Sequence, residues 1–277
     1  MKINSGVKNI ILACLFFSTI NVLVKYLDGI PSVQIVFFRS IVSLFLSGIV
    51  VHRLKLKVFN NHTPLLFLRG LFGAMALMLY FHTIKHMPLG AAISILYLSP
   101  IFTVILAIFI VKEPPSIKQI PFIALCFIGV LFIKNFDPNI SIYYLSMGVI
   151  GSLFAGVAYN LIRLLREKVH HQLVIFYFPL VTIPLTLIFL PQLWVNPNLK
   201  QFCILILIGV LTQIAQVFMT KAYQQEKAAK IGHYNYLTCV LAYLSGIVFF
   251  DEYLNFLSVI GLICIFIGIK YTSKYSS

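Results

Sequence analysis

Acidic side chains are scarce in this chain: seven Asp and Glu stand against 21 Lys and Arg in 277 residues. They are Asp28, Glu113, Asp137, Glu167, Glu226, Asp251 and Glu252, each between apolar blocks or at the edge of one. No carboxylate lies in the middle of a hydrophobic block, so a carboxylate-based proton relay within a membrane has no candidate. The phosphate-cradling GxxxxGK[ST] loop is absent, so the chain does not itself hydrolyse ATP. HExxH and GxSxG are absent too, and no pair of Asp residues falls inside an apolar block, which leaves a polytopic membrane enzyme without a catalytic set. His170 and His171 are adjacent, and neighbours diverge on a helix, so they do not make a metal pair. The cysteines, Cys14, Cys126, Cys203, Cys239 and Cys264, show no CxxC spacing and sit in or at the edge of apolar blocks. That excludes a disulfide framework or zinc site and leaves them as small buried hydrophobes.

Charge as a whole is sparse, at 10% of residues, while 60% are hydrophobic and the mean hydropathy is +0.98. A water-soluble fold of this length could not hide so much apolar side chain; the class is an all-α integral membrane protein. The formal charge of +14 does not point to nucleic acid, because the basic residues are scattered between hydrophobic blocks with no basic domain or arm. Lys2 and Lys8 precede an apolar run, Ile10 to Phe17, but no small-residue cleavage site follows, so an uncleaved first helix is expected. Ten blocks approach the ~20 residues a membrane crossing needs. They cover residues 9–27, 33–51, 65–84, 89–111, 118–134, 143–163, 172–193, 202–222, 229–250 and 254–272. With a cytoplasmic N-terminus, 15 Lys and Arg fall on the cytoplasmic side and 4 on the other, with Arg39 and Arg69 inside spans. This bias predicts that both termini are cytoplasmic.

An ungapped internal repeat pairs about Gly70 to Phe132 with Gly209 to Tyr271, at an offset of 139 residues, while the first two spans of each half match poorly. It sets Gly70 on Gly209, Tyr97 on Tyr236, Ser99 on Thr238, Glu113 on Glu252 and Gly129 on Gly268. The offset carries the third to fifth spans onto the eighth to tenth. Five spans per half is an odd number, so the halves, 1–138 and 139–277, are expected to insert in opposite orientations. An inverted repeat of this type places a binding site near the bilayer midplane, between the halves.

The order, spacing and duplication of several short segments carry a family resemblance. The third span opens Phe67-Leu68-Arg69-Gly70. The fourth begins Met87-Pro88-Leu89-Gly90-Ala91-Ala92, reaches Leu98-Ser99-Pro100-Ile101-Phe102 and closes on Val111-Lys112-Glu113. The second copy gives Tyr236-Leu237-Thr238 and Phe250-Asp251-Glu252-Tyr253-Leu254, then Ile267-Gly268. The chain resembles the drug/metabolite transporter (DMT) superfamily, specifically its ten-helix EamA-type members with two five-helix halves. The resemblance implies a secondary transporter that moves a small organic metabolite or drug by alternating access, with export the favoured direction. It implies no cofactor, a bacterial inner membrane and partners limited to a small-molecule substrate and the bilayer; a homodimer stays open. The other classes to weigh are a polytopic membrane enzyme and a non-transporting sensor or scaffold. His82 or His233 could carry protons, and uniport or exchange is equally compatible. Pro100 is a candidate hinge, and its repeat partner is Cys239, so the second half has no equal.

Arg39 and Arg69 are the charges within spans. A guanidinium there costs at least about 2.5–3.5 kcal/mol at a helix centre and should face protein or water. Their fork suits a carboxylate or phosphate, although snorkelling or pairing with backbone carbonyls would also satisfy them. The helices that the family fold places around a central cavity add polar faces. Asn21 and Lys25 share one, Ser94 and Tyr97 another, with His233 and Tyr236 as repeat mates. Gln213 and Gln216 form a stripe on the eighth span, Tyr159 and Asn160 lie in the sixth, and Tyr80 in the third. Aromatic walls with a few amides and hydroxyls would suit a small amphipathic solute. The alternative for each residue is an interhelical hydrogen bond, worth about 0.6 kcal/mol.

Overall fold

The computed structural model describes residues 5–96, 98–112, 116–135, 141–226, 236–252 and 256–275. All regular structure among them is helical. The helices are α1 (Ser5–Tyr26), α2 (Ser32–Arg53), α3 (Thr63–His86), α4 (Leu89–Leu96), α5 (Ser99–Ile110), α6 (Ile120–Asn135), α7 (Ile142–Leu164), α8 (His171–Leu193), α9 (Leu199–Gln225), α10 (Tyr236–Phe250) and α11 (Phe256–Lys274). Seven spans in the described residues are long and apolar enough to cross a membrane, counting α4 and α5 together. Ile117–Gly129, Val240–Phe250 and Val259–Gly268 are shorter apolar stretches. The protein is therefore a multi-pass membrane protein, and among the described residues irregular backbone lies at the ends of helices.

Local chemistry sets the helix limits. Gly29 adopts φ +78, a left-handed turn between α1 and α2 that costs a glycine little. Pro31 precedes α2 and Pro64 lies in the first turn of α3, positions where the missing N–H is no loss. Asn198 and Gln201 close a reciprocal capping box at the start of α9. The predicted span 89–111 is interrupted, with α4 ending at Leu96 and α5 starting at Ser99. Pro100 explains the break: it donates no hydrogen bond to the Leu96 carbonyl, and its ring would clash there.

Polarity is arranged inside out. Asn21, Gln34, Arg39, Arg69, Asn160 and Gln213 are buried, while Phe45, Ile188, Val248 and Phe249 lie on the outer surface. Lipid is as apolar as leucine, so apolar side chains serve both inside and outside, while these polar ones are taken into the interior. α1 packs on α9, α2 on α8 and α9, α3 on α7 and α8, α5 on α7, α6 on α11, and α10 on α1 and α4. Exchanging the first five predicted spans for the last five maps these contacts onto one another: α1 on α9 becomes α7 on α3, and α2 on α9 becomes α8 on α3. A Cβ on Gly70 would sit 2.9 Å from a Val181 methyl, and one on Gly209 would sit 2.5 Å from Val42 Cβ. Gly209 follows Gly70, and Val181 follows Val42, by the same 139 residues.

Candidate functional site

A cavity of about 140 Å³ lies where these helices converge. Its wall takes Cys14, Phe17 and Asn21 from α1, Arg39 from α2, Arg69, Gly73 and Tyr80 from α3, and Leu96 and Ser99 from the two sides of the α4–α5 break. The later part of the chain supplies Tyr159 from α7, Phe178 from α8, Gln216 and Tyr223 from α9, and Thr238 from α10. Ser99 and Thr238, mates in the repeat, both reach this wall.

The two arginines dominate the electrostatics. Each side chain is only 2% exposed. The Arg39 guanidinium lies 5.3 Å from the centre of the Phe81 ring and 5.8 Å from that of Phe178, and Arg69 lies 4.6 Å from the same Phe178 ring. Sharing one ring places the guanidinium carbons no more than about 10 Å apart. Two unit charges at about 10 Å repel by about 1.7 kcal/mol at an effective dielectric of ~20. The aromatic faces offset part of that, at about 0.5–2 kcal/mol per contact. Among the described residues no carboxylate pairs with either arginine; the ion pairs described are Lys25 with Glu252 and Arg166 with Glu167. Arg69 Nη2 donates to Gln216 Oε1 at 3.4 Å, a long bond. Arg39 Nε, Arg69 Nε and Arg69 Nη1 find no hydrogen-bond partner among the described residues. Gly73 makes room for the group: a Cβ there would sit 2.9 Å from Phe178 Cε2 and 3.4 Å from Arg69 Nη1.

Of the residues singled out in the sequence, Asn21, Arg39, Arg69, Tyr80, Tyr159 and Gln216 come together in this wall. Lys25, Ser94, Asn160 and Gln213 face other partners. Asn160 donates to the Thr103 and Gly156 carbonyls, because it lies about 100° around α7 from Tyr159 and meets α5. Gln213 accepts from Ser43 at 2.6 Å, joining α9 to α2. The Ser94 hydroxyl donates to the Gly90 carbonyl within α4. Pro100 is buried at the start of α5, beside the cavity rather than in its wall. Tyr97 and His233 lie outside the described residues, as does the side chain of Tyr236. His82 is not in the wall; it packs against His86 and Tyr144, with ring centres 4.3 and 5.6 Å away. Cys14 is buried in the wall, whereas Cys203 is exposed on the outer surface, contrary to a buried role for every cysteine. Lipid accepts a thiol on that surface as readily as the interior does.

Sequence reasoning missed Phe81, Phe178, Tyr223 and Gly73. A signal existed for Phe178: it is the repeat mate of Arg39, so an inverted pair of halves brings these positions face to face. Tyr223 stacks on Tyr159 at 4.6 Å and 9° and completes the wall between α7 and α9.

A charged clasp closes one end of the molecule. Glu252 takes Lys25 Nζ at 2.8 Å and accepts the Leu89 N–H with both oxygens, at 2.8 and 2.9 Å. Lys25 also donates to the Met87 carbonyl at 2.7 Å. The carboxylate thus caps the N-terminus of α4, where the helix dipole favours an anion, and ties α1, α4 and the end of α10 together.

A buried, charged cavity between the packed helices of a polytopic protein is the arrangement a membrane transport protein needs. The model of the EamA-like transporter family matches twice, over residues 4–134 and 142–273, and the chain belongs to that family. It is 29% identical over 272 residues to the pseudopaline exporter CntI of Pseudomonas aeruginosa, covering 96% of this chain and 95% of the exporter. It is 26% identical to the S-adenosylmethionine uptake transporter of Rickettsia prowazekii, over 96% of this chain and 92% of that one. Mouse solute carrier family 35 member G1 is also 26% identical, over 93% of this chain and 75% of its own length. One solved crystal structure superposes with a TM-score of 0.74 at 16% identity, covering 96% of both chains, a likeness of fold alone. The protein is accordingly a transporter of the drug/metabolite class and not an enzyme.

Proposed function

We propose that this protein is a ten-span secondary carrier whose halves, 1–138 and 139–277, form inverted five-helix repeats and alternate access to the cavity between them. The observation that carries this is the cavity itself, whose wall is drawn from both halves and holds the chain's two intramembrane arginines. The exchange of helix contacts between halves, the matched approaches of Gly70 to Val181 and Gly209 to Val42, and the two family matches support the repeat. The bias of Lys and Arg supports cytoplasmic termini, and the bacterial relatives support an inner-membrane location. In that orientation the Lys25–Glu252 clasp lies at the outer mouth. The cavity extends toward the cytoplasmic ends of α1, α7 and α9 through Ile10, Tyr159 and Tyr223. There the described link between α1 and α9 is a neutral one, from Asn9 to Gln225 at 3.1 Å. The conformation is closed outside by charge, one state of an alternating cycle. Pro100, at the break in the fourth span, is the natural hinge. We take export as the direction; the Pseudomonas relative is named an exporter and the Rickettsia relative an uptake transporter.

Purified protein in liposomes tests the assignment. A carrier shows saturable uptake of a labelled solute that accelerates when unlabelled solute is trapped inside, and it leaves the solute chemically unchanged. Tyr97→Ala and Tyr236→Ala are each expected to reduce flux without abolishing membrane expression. Wild-type flux in both would remove these tyrosines from the central cavity.

A further inference from the structure

We infer that the solute this cavity takes is a small organic dianion, bound by Arg39 and Arg69 together. The inference rests on the carrier assignment and deepens it by naming the substrate class. Both guanidiniums are buried in one wall, and no carboxylate pairs with either among the described residues. The Phe178 and Phe81 rings lie 4.6–5.8 Å from the guanidinium carbons and offer no acceptor oxygen, so the N–H groups are left for other partners. Three of those edge nitrogens, Arg39 Nε, Arg69 Nε and Arg69 Nη1, have no acceptor among the described residues. Buried donors of this kind are nearly always satisfied in a native state, so a ligand oxygen is their natural complement.

Charge fixes the number of acid groups. The empty wall carries two positive charges, and a cation would add to them. A monoanion would leave one charge uncompensated in a low-dielectric interior, whereas a dianion leaves none, which makes it the best cargo for a site buried within the membrane. Size agrees: about 140 Å³ is well below the ~300–1,000 Å³ of pockets for drug-sized ligands. Tyr80, Tyr159 and Gln216 stand on the same wall to meet hydroxyl or carbonyl groups on the carbon skeleton. Two carboxylates or one phosphate ester would present the same dianionic chemistry to the forks.

The test is thermal unfolding of the detergent-purified full chain with succinate, glycerol phosphate, acetate, choline or chloride at matched ionic strength. A ligand that binds the native state raises its midpoint in a concentration-dependent way. Succinate or glycerol phosphate should do so with an apparent Kd at least tenfold below that of acetate, and choline should do nothing. Response to succinate alone assigns dicarboxylates, and response to glycerol phosphate alone assigns phosphate esters. Arg39→Gln and Arg69→Gln should each weaken that response at least tenfold. The empty Gln variants should unfold at or above the wild-type temperature, since each loses an unpaired buried charge. Arginines with only a structural role would give the opposite, a lower midpoint and an unchanged apparent Kd. No shift with either dianion, or an equal response in wild type and Gln variants, overturns the inference. Counterflow of neutral, zwitterionic or cationic solutes judges the carrier assignment separately, so the two can fail independently.

Discussion

At the scale of single residues, position 73 shows how closely the arginine wall is built. With no Cβ, Gly73 lets α3 bring Arg69 up to the Phe178 ring of α8. Gly73→Ala would force both to move, at an overpacking cost of about 1–3 kcal/mol if neither yields. We expect this variant to reach the membrane at near-normal levels while its half-saturating solute concentration in liposomes rises roughly tenfold, about the equilibrium value of 1.4 kcal/mol. Unchanged half-saturation would mean that Arg69 and Phe178 relax freely. Asn160 and Tyr159 teach a related lesson. They are adjacent in sequence, yet one is held by backbone carbonyls of α5 and α7 and the other lines the cavity. Residue type did not separate them; direction around the helix did.

At the scale of helices, the fourth span and the clasp above it are the proposed movable parts. Pro100→Ala restores a backbone donor toward the Leu96 carbonyl and allows α4 and α5 to run on as one helix. The maximal transport rate should fall severalfold with little change in half-saturation, since Arg39 and Arg69 are carried on other helices. A change in half-saturation alone would argue against a hinge. Glu252→Gln weakens the hold on both Lys25 and the Leu89 N–H. Hydrogen bonds to a charged group contribute about 1.5–3 kcal/mol each, so losing that charge can shift a conformational balance roughly tenfold or more. In a variant retaining Cys14 as its sole cysteine, a membrane-impermeant maleimide added outside should label Cys14 at least fivefold faster once Glu252 is replaced. Equal labelling would show that the clasp does not gate the outer mouth. The hydrophobic pattern located the fourth span, but the length of each half-helix followed from where Pro100 sits within it.

At the scale of the whole molecule, orientation is the testable property. The proposed orientation puts residue 277 on the cytoplasmic side and the segment around Asp137 outside. A reporter that fluoresces only in the cytoplasm should be bright when fused after Ser277. Alkaline phosphatase, which folds only outside, should be active when fused after Asp137. The reverse pattern would invert the molecule and move the Lys25–Glu252 clasp to the cytoplasmic mouth. The halves meet through small residues as much as through polar ones: the Gly70–Val181 and Gly209–Val42 approaches let α3 and α8, and α9 and α2, come near without a hydrophobic driving force.

The sequence by itself determined the membrane class, and it offered the approximate spans and the offset of the proposed repeat. All of these follow from local hydropathy and from similarity along one chain, with no knowledge of neighbours needed. It also marked Arg39 and Arg69 as unusual, because a charge within a span is costly wherever it points. Only the tertiary structure decided that both arginines stack on Phe178, that Lys25 turns to Glu252, and that Gln216 faces the cavity while Gln213 bonds α2. These choices depend on which helices pack on each face, between segments more than a hundred residues apart. No local pattern encodes which neighbour a polar side chain will find.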